Sequence, residues 1–184
     1  MIMMDLQPEL QCKAISLRPL MAYDFESLWS AASDPATWAG HPAKDRYKRD
    51  VFQKYFTFLL EAGGTLVVID KMQGKIIGCS RYYFAPVKSA YISIGFTFLS
   101  HTYWGGSTNF AVKKLMLDHA FKSTDQVWFH IDPSNRRSQK ATAKLGAKHI
   151  ENDKLDLAGS VAKWMCFRLL KSDWKAFVAT RIEP

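Results

Sequence analysis

The chain has 184 residues, of which 48% are hydrophobic and 14% aromatic, and this composition is typical of a globular protein rather than a disordered one. At this length we expect one domain that spans residues 1–184. Lys and Arg exceed Asp and Glu by 25 − 17 = 8, a balance that suits a polyanionic ligand or an RNA-rich surface.

The cysteines and the start of the chain indicate a cytoplasmic protein without a metal site. Cys12, Cys79 and Cys166 are widely separated, and no pair has the spacing of a metal or redox motif. Residues 1–5 lack the basic and apolar regions of a signal peptide. No apolar run approaches the roughly 20 residues that a membrane span needs. We therefore expect reduced thiols, no metal and no membrane contact.

The first half of the chain predicts two helices between strands. Alternating β-branched and aromatic residues are typical of strands, whereas apolar residues spaced three and four apart are typical of helices. Gly63 and Gly64 end the second helix, and Gly74 lies in a short loop that makes the next two strands a hairpin. The predicted elements are a strand over 13–18, helices over 23–33 and 45–62, and strands over 65–70 and 75–84.

The second half predicts four more strands and three more helices. A strand over 91–99 precedes a turn-rich segment, and a helix over 110–122 follows it. This order of elements fits an α/β fold in which a mixed sheet has helices on both faces. The remaining elements are a strand over 126–131, a helix over 136–145, strands over 148–151 and 161–170, and a helix over 171–181.

The loop before the helix over 110–122 is the strongest candidate for a binding site. Gly105 and Gly106 allow a tight turn and close approach of a ligand to the backbone. The start of a helix directs free N–H groups and a partial positive charge at an anion. Ser107, Thr108 and Asn109 are also capable helix caps, so an ordinary capped connection remains an alternative interpretation of this loop.

Three segments carry a resemblance to a known family. Residues 104–109, the helix after them and residues 135–138 resemble the signature region of the GNAT superfamily of acyl-CoA N-acyltransferases. The chain is most similar to the branch that contains the ribosomal-protein N-terminal acetyltransferases of the RimJ/RimL type, from about residue 15 to about residue 174. The superfamily loop usually begins with Gln or Arg, where this chain has Thr102, whereas Gly105 and Ser107 fit its small positions.

The resemblance implies a fold and a co-substrate. The fold is a central, mostly antiparallel twisted sheet of six to seven strands, with helices on both faces and a splay after the fourth strand. The co-substrate is acetyl-CoA, whose peptide-like arm would pair with strand N–H and C=O groups left free at the splay. The cofactor-binding residues implied in this way are Phe98, Leu99, Trp104, Gly105, Gly106, Ser107, Thr108, Asn109, Asn135 and Ser138.

The resemblance also suggests which residues assist the transfer. The superfamily often uses a Tyr seven residues after the signature Asn135, and that position is Thr142 here. The RimL-like branch implicates a Ser three residues after the Asn, so we expect Ser138 to donate to the leaving thiolate and Asn135 to hold the pantetheine amide. The alternatives are a surface hydroxyl for Ser138 and a helix N-cap for Asn135. His130 ends a strand near the expected site and is the candidate catalytic base, directly or through water.

The expected acceptor is a primary amine, either a small amine or the N-terminal α-amine of a peptide such as a ribosomal protein. Trp38 and His41 lie in the loop that commonly lines the acceptor side of this fold. Arg81 is the third candidate for substrate binding, since it could orient an acidic group of the acceptor. For Arg81 the alternative is a surface charge on a strand. A homodimer is a further possibility that the sequence leaves open.

The predicted function is an acetyl-CoA-dependent N-acetyltransferase in which the amine attacks the thioester directly. The alternative is a CoA-binding regulatory module with little catalytic activity, because Thr142 replaces the Tyr of the superfamily and no catalytic base is evident. A nucleic-acid-binding domain is disfavoured. The aromatic residues mostly fall at core spacing, and the basic residues are spread along the chain instead of forming one stripe.

Overall fold

A computed structural model describes residues 4–86 and 91–181 of the chain. It contains one eight-stranded sheet in the order β1-β2-β3-β4-β5-β6-β8-β7. The strands are β1 (Leu10–Gln11), β2 (Ile15–Pro19), β3 (Thr65–Asp70), β4 (Lys75–Phe84), β5 (Ile92–Leu99), β6 (Gln126–Ile131), β7 (Lys148–Asp156) and β8 (Val161–Leu170). The helices are α1 (Phe25–Ala32), α2 (Arg49–Ala62), α3 (Thr108–Ala120), α4 (Arg136–Ala143) and α5 (Lys171–Ala179).

The sheet divides where β5 meets β6. Strands β1 to β5 pair antiparallel in chain order, and β6, β8 and β7 form a second antiparallel group. The parallel contact of β5 with β6 has one register pair, Ser93 with Trp128. Beyond Ser93 the two strands separate. The predicted mixed sheet with a splay after the fourth strand is therefore confirmed, since β5 is the fourth of the predicted strands.

Each face of the sheet packs against helices. On one face α3 and α5 join a core that contains Met116, Leu117 and Trp174. On the other face α1 and α2 contribute Leu28 and Phe52 to a second core. Burying one such side chain stabilises the fold by about 1.5–3 kcal/mol. With both faces covered, the splay is a place inside the sheet where strand backbone groups are left for a ligand.

Some predicted boundaries were wrong. The second helix begins at Arg49 and not at residue 45, because residues 44–47 form a turn and the extended backbone of Lys48, the N-cap, interrupts helical geometry there. Strand β7 continues to Asp156, five residues past its predicted end. The prediction stopped early because this strand is largely exposed and lacks the apolar alternation that marks a strand. The additional strand, β1, has two residues and is too short to give a periodic pattern.

Several further expectations concern absences. Within residues 4–86 and 91–181, no helix is both long and apolar enough to cross a membrane. In the same ranges, no three His, Cys, Asp or Glu side chains are grouped so that they could hold a metal ion. Cys12, Cys79 and Cys166 are free thiols. Residues 1–3, part of the segment examined for a signal peptide, lie outside the described residues.

Candidate functional site

The gap between β5 and β6 opens into a cavity of about 1180 Å³. Its walls come from the second half of β5, the end of β6, the first turns of α3, helix α4 and the loop between α1 and α2. Of the predicted site residues, Thr108 and Arg81 are not part of its wall. The others all contribute to it: Trp38, His41, Phe98, Leu99, Trp104, Gly105, Gly106, Ser107, Asn109, His130, Asn135 and Ser138.

A bulge in β5 shapes the cavity wall. The register between β4 and β5 shifts at Ser80, which lies opposite both Phe96 and Thr97. Phe96 has φ 51°, in the left-handed region that residues with a side chain rarely adopt. Because a bulge redirects side chains, Thr97 faces α3 whereas the ring of Phe96 lies on the α2 side, 5.4 Å from the ring of Phe58.

The loop before α3 has the properties of an anion site. Gly105 has φ +76°, and a Cβ built there would have no atom within 4 Å, so the position faces open space. Ser107 is the N-cap residue of α3, but its side chain makes no capping hydrogen bond to the described residues. The N–H groups of the first turn of α3 are therefore left for a ligand. This arrangement fits the pyrophosphate of coenzyme A.

One arginine of α4 spans the cavity mouth. The guanidinium of Arg137 lies 3.6 Å from the ring centroid of Trp104, and its Nη1 donates to the carbonyl oxygen of Ala39 at 3.4 Å. Trp104 is itself fixed, because its Nε1 donates to the carbonyl oxygen of Leu99 at 2.9 Å. Arg137 thus connects the loop before α3 to the loop that follows α1.

The start of α4 carries the predicted signature residues. Oδ1 of Asn135 accepts a hydrogen bond from the backbone N–H of Ser138 at 3.1 Å, so Asn135 caps the helix. Its Nδ2 and the Oγ of Ser138 make no hydrogen bond to another described residue, and both residues line the cavity. The cap interpretation is correct for the Asn135 oxygen, while the nitrogen remains free to donate to a pantetheine carbonyl.

A tyrosine and a histidine form a hydrogen-bonded pair in the cavity. Oη of Tyr83 lies 2.8 Å from Nδ1 of His130. The ring of Tyr83 lies against Gly95, where a Cβ would meet its edge at 3.0 Å, so a larger residue would press on this ring. Burial lowers the pKa of His130 to about 4 and raises the pKa of Tyr83 above its ordinary value. Both groups are therefore neutral at pH 7.

The loop between α1 and α2 forms the opposite wall. Trp38 is 1% exposed, and its Nε1 donates to a carbonyl oxygen at the end of α1 at 2.8 Å, so it chiefly supports the wall. Nδ1 of His41 accepts from the backbone N–H of Ala43 at 2.9 Å. Burial, with further contributions from the charges of Arg46 and Arg137, lowers the pKa of His41 to about 4. This wall therefore presents a neutral imidazole.

Arg81 lies apart from the other candidates. Its Nε donates to the carbonyl oxygen of Gly63 at 2.7 Å, and its Nη2 donates to that of Ala62 at 3.1 Å. These carbonyls belong to the end of α2, so Arg81 satisfies backbone groups that the helix leaves unpaired. It lines a separate cavity of about 260 Å³. A role for Arg81 in substrate binding stays a prediction.

Lys113 is a buried residue of the cavity that was not among the predicted site residues. It is 7% exposed, and its Nζ lies 2.6 Å from Oγ1 of Thr97 and 3.3 Å from Oγ of Ser80. Burial lowers the pKa of Lys113 to about 7. Its spacing of three and four residues from the buried Met116 and Leu117 was the available sign that it lies on the inner face of α3.

Comparisons with known proteins agree with this fold and cavity. Residues 15–148 match the model of the acetyltransferase (GNAT) domain. No curated protein sequence matches the chain. Among similar solved structures, a putative acetyltransferase from T. thermophilus has 20% sequence identity and a TM-score of 0.73, with 97% of each chain covered.

Two further solved structures have more specific descriptions. Mycobacterium smegmatis RimJ in complex with CoA-disulfide is 16% identical with a TM-score of 0.64, covering 94% of this chain and 93% of its own. Ribosomal-protein-S5-alanine acetyltransferase from Vibrio fischeri is 19% identical with a TM-score of 0.63, and the match covers 91% of this chain and 99% of that one. These likenesses concern the fold. The match over residues 15–148 spans more than half of the chain, which therefore belongs to the GNAT acetyltransferase family.

Proposed function

We propose that this acetyltransferase transfers the acetyl group of acetyl-CoA to a primary amine that attacks the thioester directly. The observation that carries the proposal is the cavity at the splay. It extends from the uncapped start of α3 to the neutral pair of Tyr83 and His130. An acyl transfer needs the two reactants held together and a route for one proton, and the two ends of this cavity can supply these.

The cofactor end would bind by charge and by backbone. Acetyl-CoA, when bound, supplies the activated acetyl group. The free N–H groups at the start of α3 would receive its pyrophosphate, and cations of α4 that line the cavity would neutralise phosphate charge. Nδ2 of Asn135 and the unpaired strand groups of β5 would orient the peptide-like arm. The cavity-lining cations of α4 are Arg136, Arg137 and Lys140, and Lys144 follows at the C-cap of the helix.

At the reacting end, one N–C bond forms and one C–S bond breaks. The amine loses a proton, and the sulfur gains one. In the tautomer in which Nδ1–H of His130 donates to Oη of Tyr83, Nε2 has a free lone pair that can accept the amine proton directly or through water. The hydroxyl of Ser138 would donate to the developing thiolate.

The weak basicity of His130 favours an acceptor that is already partly neutral. An α-amine has an unperturbed pKa of about 7.7–8.0, against about 10.4 for a lysine side chain. With a pKa of about 4, His130 is poorly suited to deprotonate a lysine ammonium. We therefore infer that the acceptor is a peptide α-amine or a small amine of similar pKa.

The finer assignment is a cytoplasmic enzyme of the RimJ/RimL type that acts on the N-terminus of a ribosomal or another protein. Support comes from the similar folds of RimJ and of the S5-alanine acetyltransferase, and the free thiols of Cys12, Cys79 and Cys166 are compatible with a reducing compartment. A homodimer stays a prediction.

The test is thiol release from acetyl-CoA with a panel of short peptides, free amino acids and polyamines at pH 7–8.5. We expect turnover with α-amines and a rate that rises with pH as the amine loses its proton. Preference for a polyamine or an internal lysine would contradict the acceptor assignment. CoA binding without turnover on any amine would favour the regulatory module.

A further inference from the structure

The acceptor wall of the cavity contains an arginine that stacks on an aromatic ring and has no acidic partner within the described part of the chain. The guanidinium of Arg46 lies 3.8 Å from the ring centroid of Tyr55 and 5.5 Å from that of Trp38. Within residues 4–86 and 91–181 this guanidinium makes no hydrogen bond and no ion pair, although the neighbouring acids are engaged. Asp45 pairs with Lys48 at 2.9 Å, and Glu26 pairs with Arg49.

The remaining charges of the cavity do not neutralise Arg46. Asp132 is the one carboxylate among the described residues that line it, and its Oδ1 accepts from the backbone N–H and the Oγ of Ser134 at 2.8 and 2.6 Å. His41, beside Arg46, has a pKa lowered to about 4, by burial first, and is neutral at pH 7. Arg46 therefore has no ion-pair partner among the described residues that line the cavity.

Arg46 lies on the side of the sheet where the amine would react. Oη of Tyr55, on which its guanidinium stacks, donates to the carbonyl oxygen of Phe96 at 3.3 Å. The ring of Phe96 lies 5.3 Å from that of Tyr83, the partner of His130. Arg136 and Lys140 of α4 are assigned to the cofactor end, and Arg137 is stacked on Trp104 and donates to Ala39, so Arg46 is available for the second substrate.

A stacked guanidinium has a defined chemical preference. Its face is covered by the aromatic ring, and its N–H donors point outward in one plane, which matches the two oxygens of a carboxylate. Since the ring already fixes the plane, little side-chain freedom is lost when a carboxylate binds. Arg81, the arginine first considered for this role, has two of its N–H donors occupied by the carbonyls of Ala62 and Gly63.

We propose that Arg46 binds a carboxylate of the amine acceptor, so that the preferred substrates of this chain are amines that also carry an acidic group. The inference rests on the proposed acetyl transfer and specifies its substrate class. The carboxylate has two sources, the α-carboxylate of a free amino acid and the side chain of an acidic first residue in a peptide. Separate substrate pairs distinguish them.

The experiment compares matched acceptors on wild type and variants. One pair is a peptide amide that begins with Asp and its counterpart that begins with Asn, and the other is alanine and alaninamide. After correction for amine pKa, we expect kcat/KM of the wild type to be about tenfold higher for the carboxylate member of one pair. This is the size expected for a partly exposed, hydrogen-bonded ion pair, at about 1.4 kcal/mol. Arg46→Met should remove that preference, and Arg46→Lys should restore part of it.

Two controls separate charge from folding and from turnover. Lys48→Met removes an exposed cation two residues away and should keep the preference. Calorimetry of the preferred acceptor on the CoA-bound protein should show tighter binding to wild type than to Arg46→Met. Normal turnover of neutral amines with no carboxylate preference, or a preference that Arg46→Met retains, would overturn this inference alone. Failure to turn over any amine would overturn the proposed function with it.

Discussion

Lys113 makes the stability of this protein depend on pH above neutrality. In the unfolded chain its pKa is about 10.4, whereas burial lowers it to about 7 in the fold. Between these values the unfolded chain binds more protons than the folded one, so the free energy of unfolding rises with pH. Below about pH 7 both states are protonated, and the fold bears the whole cost of a buried ammonium.

The size of this effect follows from the two pKa values. One pKa unit corresponds to about 1.36 kcal/mol, so the full difference is about 5 kcal/mol. Integration from pH 6 to pH 9 gives a gain of about 2 to 3 kcal/mol in the free energy of unfolding. Lys113→Met removes the titrating group and should remove this gain. It also removes the hydrogen bonds to Thr97 and Ser80, but that loss adds a constant and leaves the slope unaffected.

Urea unfolding of both proteins at pH 6, 7, 8 and 9 measures the slope. His41 and His130 are present in both proteins, so their titration cancels in the difference. Lys114→Met is the matched control, because Lys114 is partly exposed and pairs with Asp118 at 2.8 Å. It should keep the wild-type slope. If Lys113→Met also keeps that slope, the burial argument is refuted.

Three further predictions concern the proposed reaction. Gly105→Val should weaken CoA binding measured by calorimetry about tenfold or more, or about 1.4 kcal/mol, because a side chain would enter the open space beside α3. Gly159→Val, at a similar positive φ outside the cavity, should leave the affinity for CoA unchanged. If both variants lose CoA affinity equally, backbone strain and not the blocked space would be the cause. Ser138→Ala should lower kcat about tenfold with little change in the KM for acetyl-CoA. If Ser138→Ala keeps full activity and Thr142→Val loses it, Thr142 and not Ser138 is the donor to the thiolate. His130→Gln should lower kcat by a similar factor at every pH from 6 to 8.5, since the pKa of about 4 lies below that range; an inflection near pH 6.5 that depends on His130 would contradict this.

The grouping of residues at the proposed cofactor end could be predicted from the sequence because they lie in two short stretches of the chain. Gly105, Ser107 and the helix that follows form one local unit, and Asn135 and Ser138 belong to one helix start. The glycines, the cap residues and the helical spacing each give a signal over a few positions. The resemblance to a family added their roles, which no local pattern contains.

The proposed acceptor end could not be predicted in the same way. Tyr83 and His130 are 47 residues apart and meet only through the register of β4, β5 and β6. Arg46 was assigned to a helix, but it lies in the loop before α2, where it can reach the rings of Tyr55 and Trp38. Lys113 was not among the predicted site residues, although its spacing from Met116 and Leu117 places it on the buried face of α3.

Because β5 and β6 share one register pair, Ser93 with Trp128, backbone pairing contributes little to the angle between the two halves of the sheet. Side chains hold that angle instead. Helix α3 is attached to β4 through Tyr82, whose Oη donates to the carbonyl oxygen of Met116 at 2.6 Å, and to α5 through Trp174, whose Nε1 donates to Asp118 at 2.8 Å. Substitutions in this core should therefore alter the width of the cleft, so core mutations far from the reacting atoms would change how substrates fit.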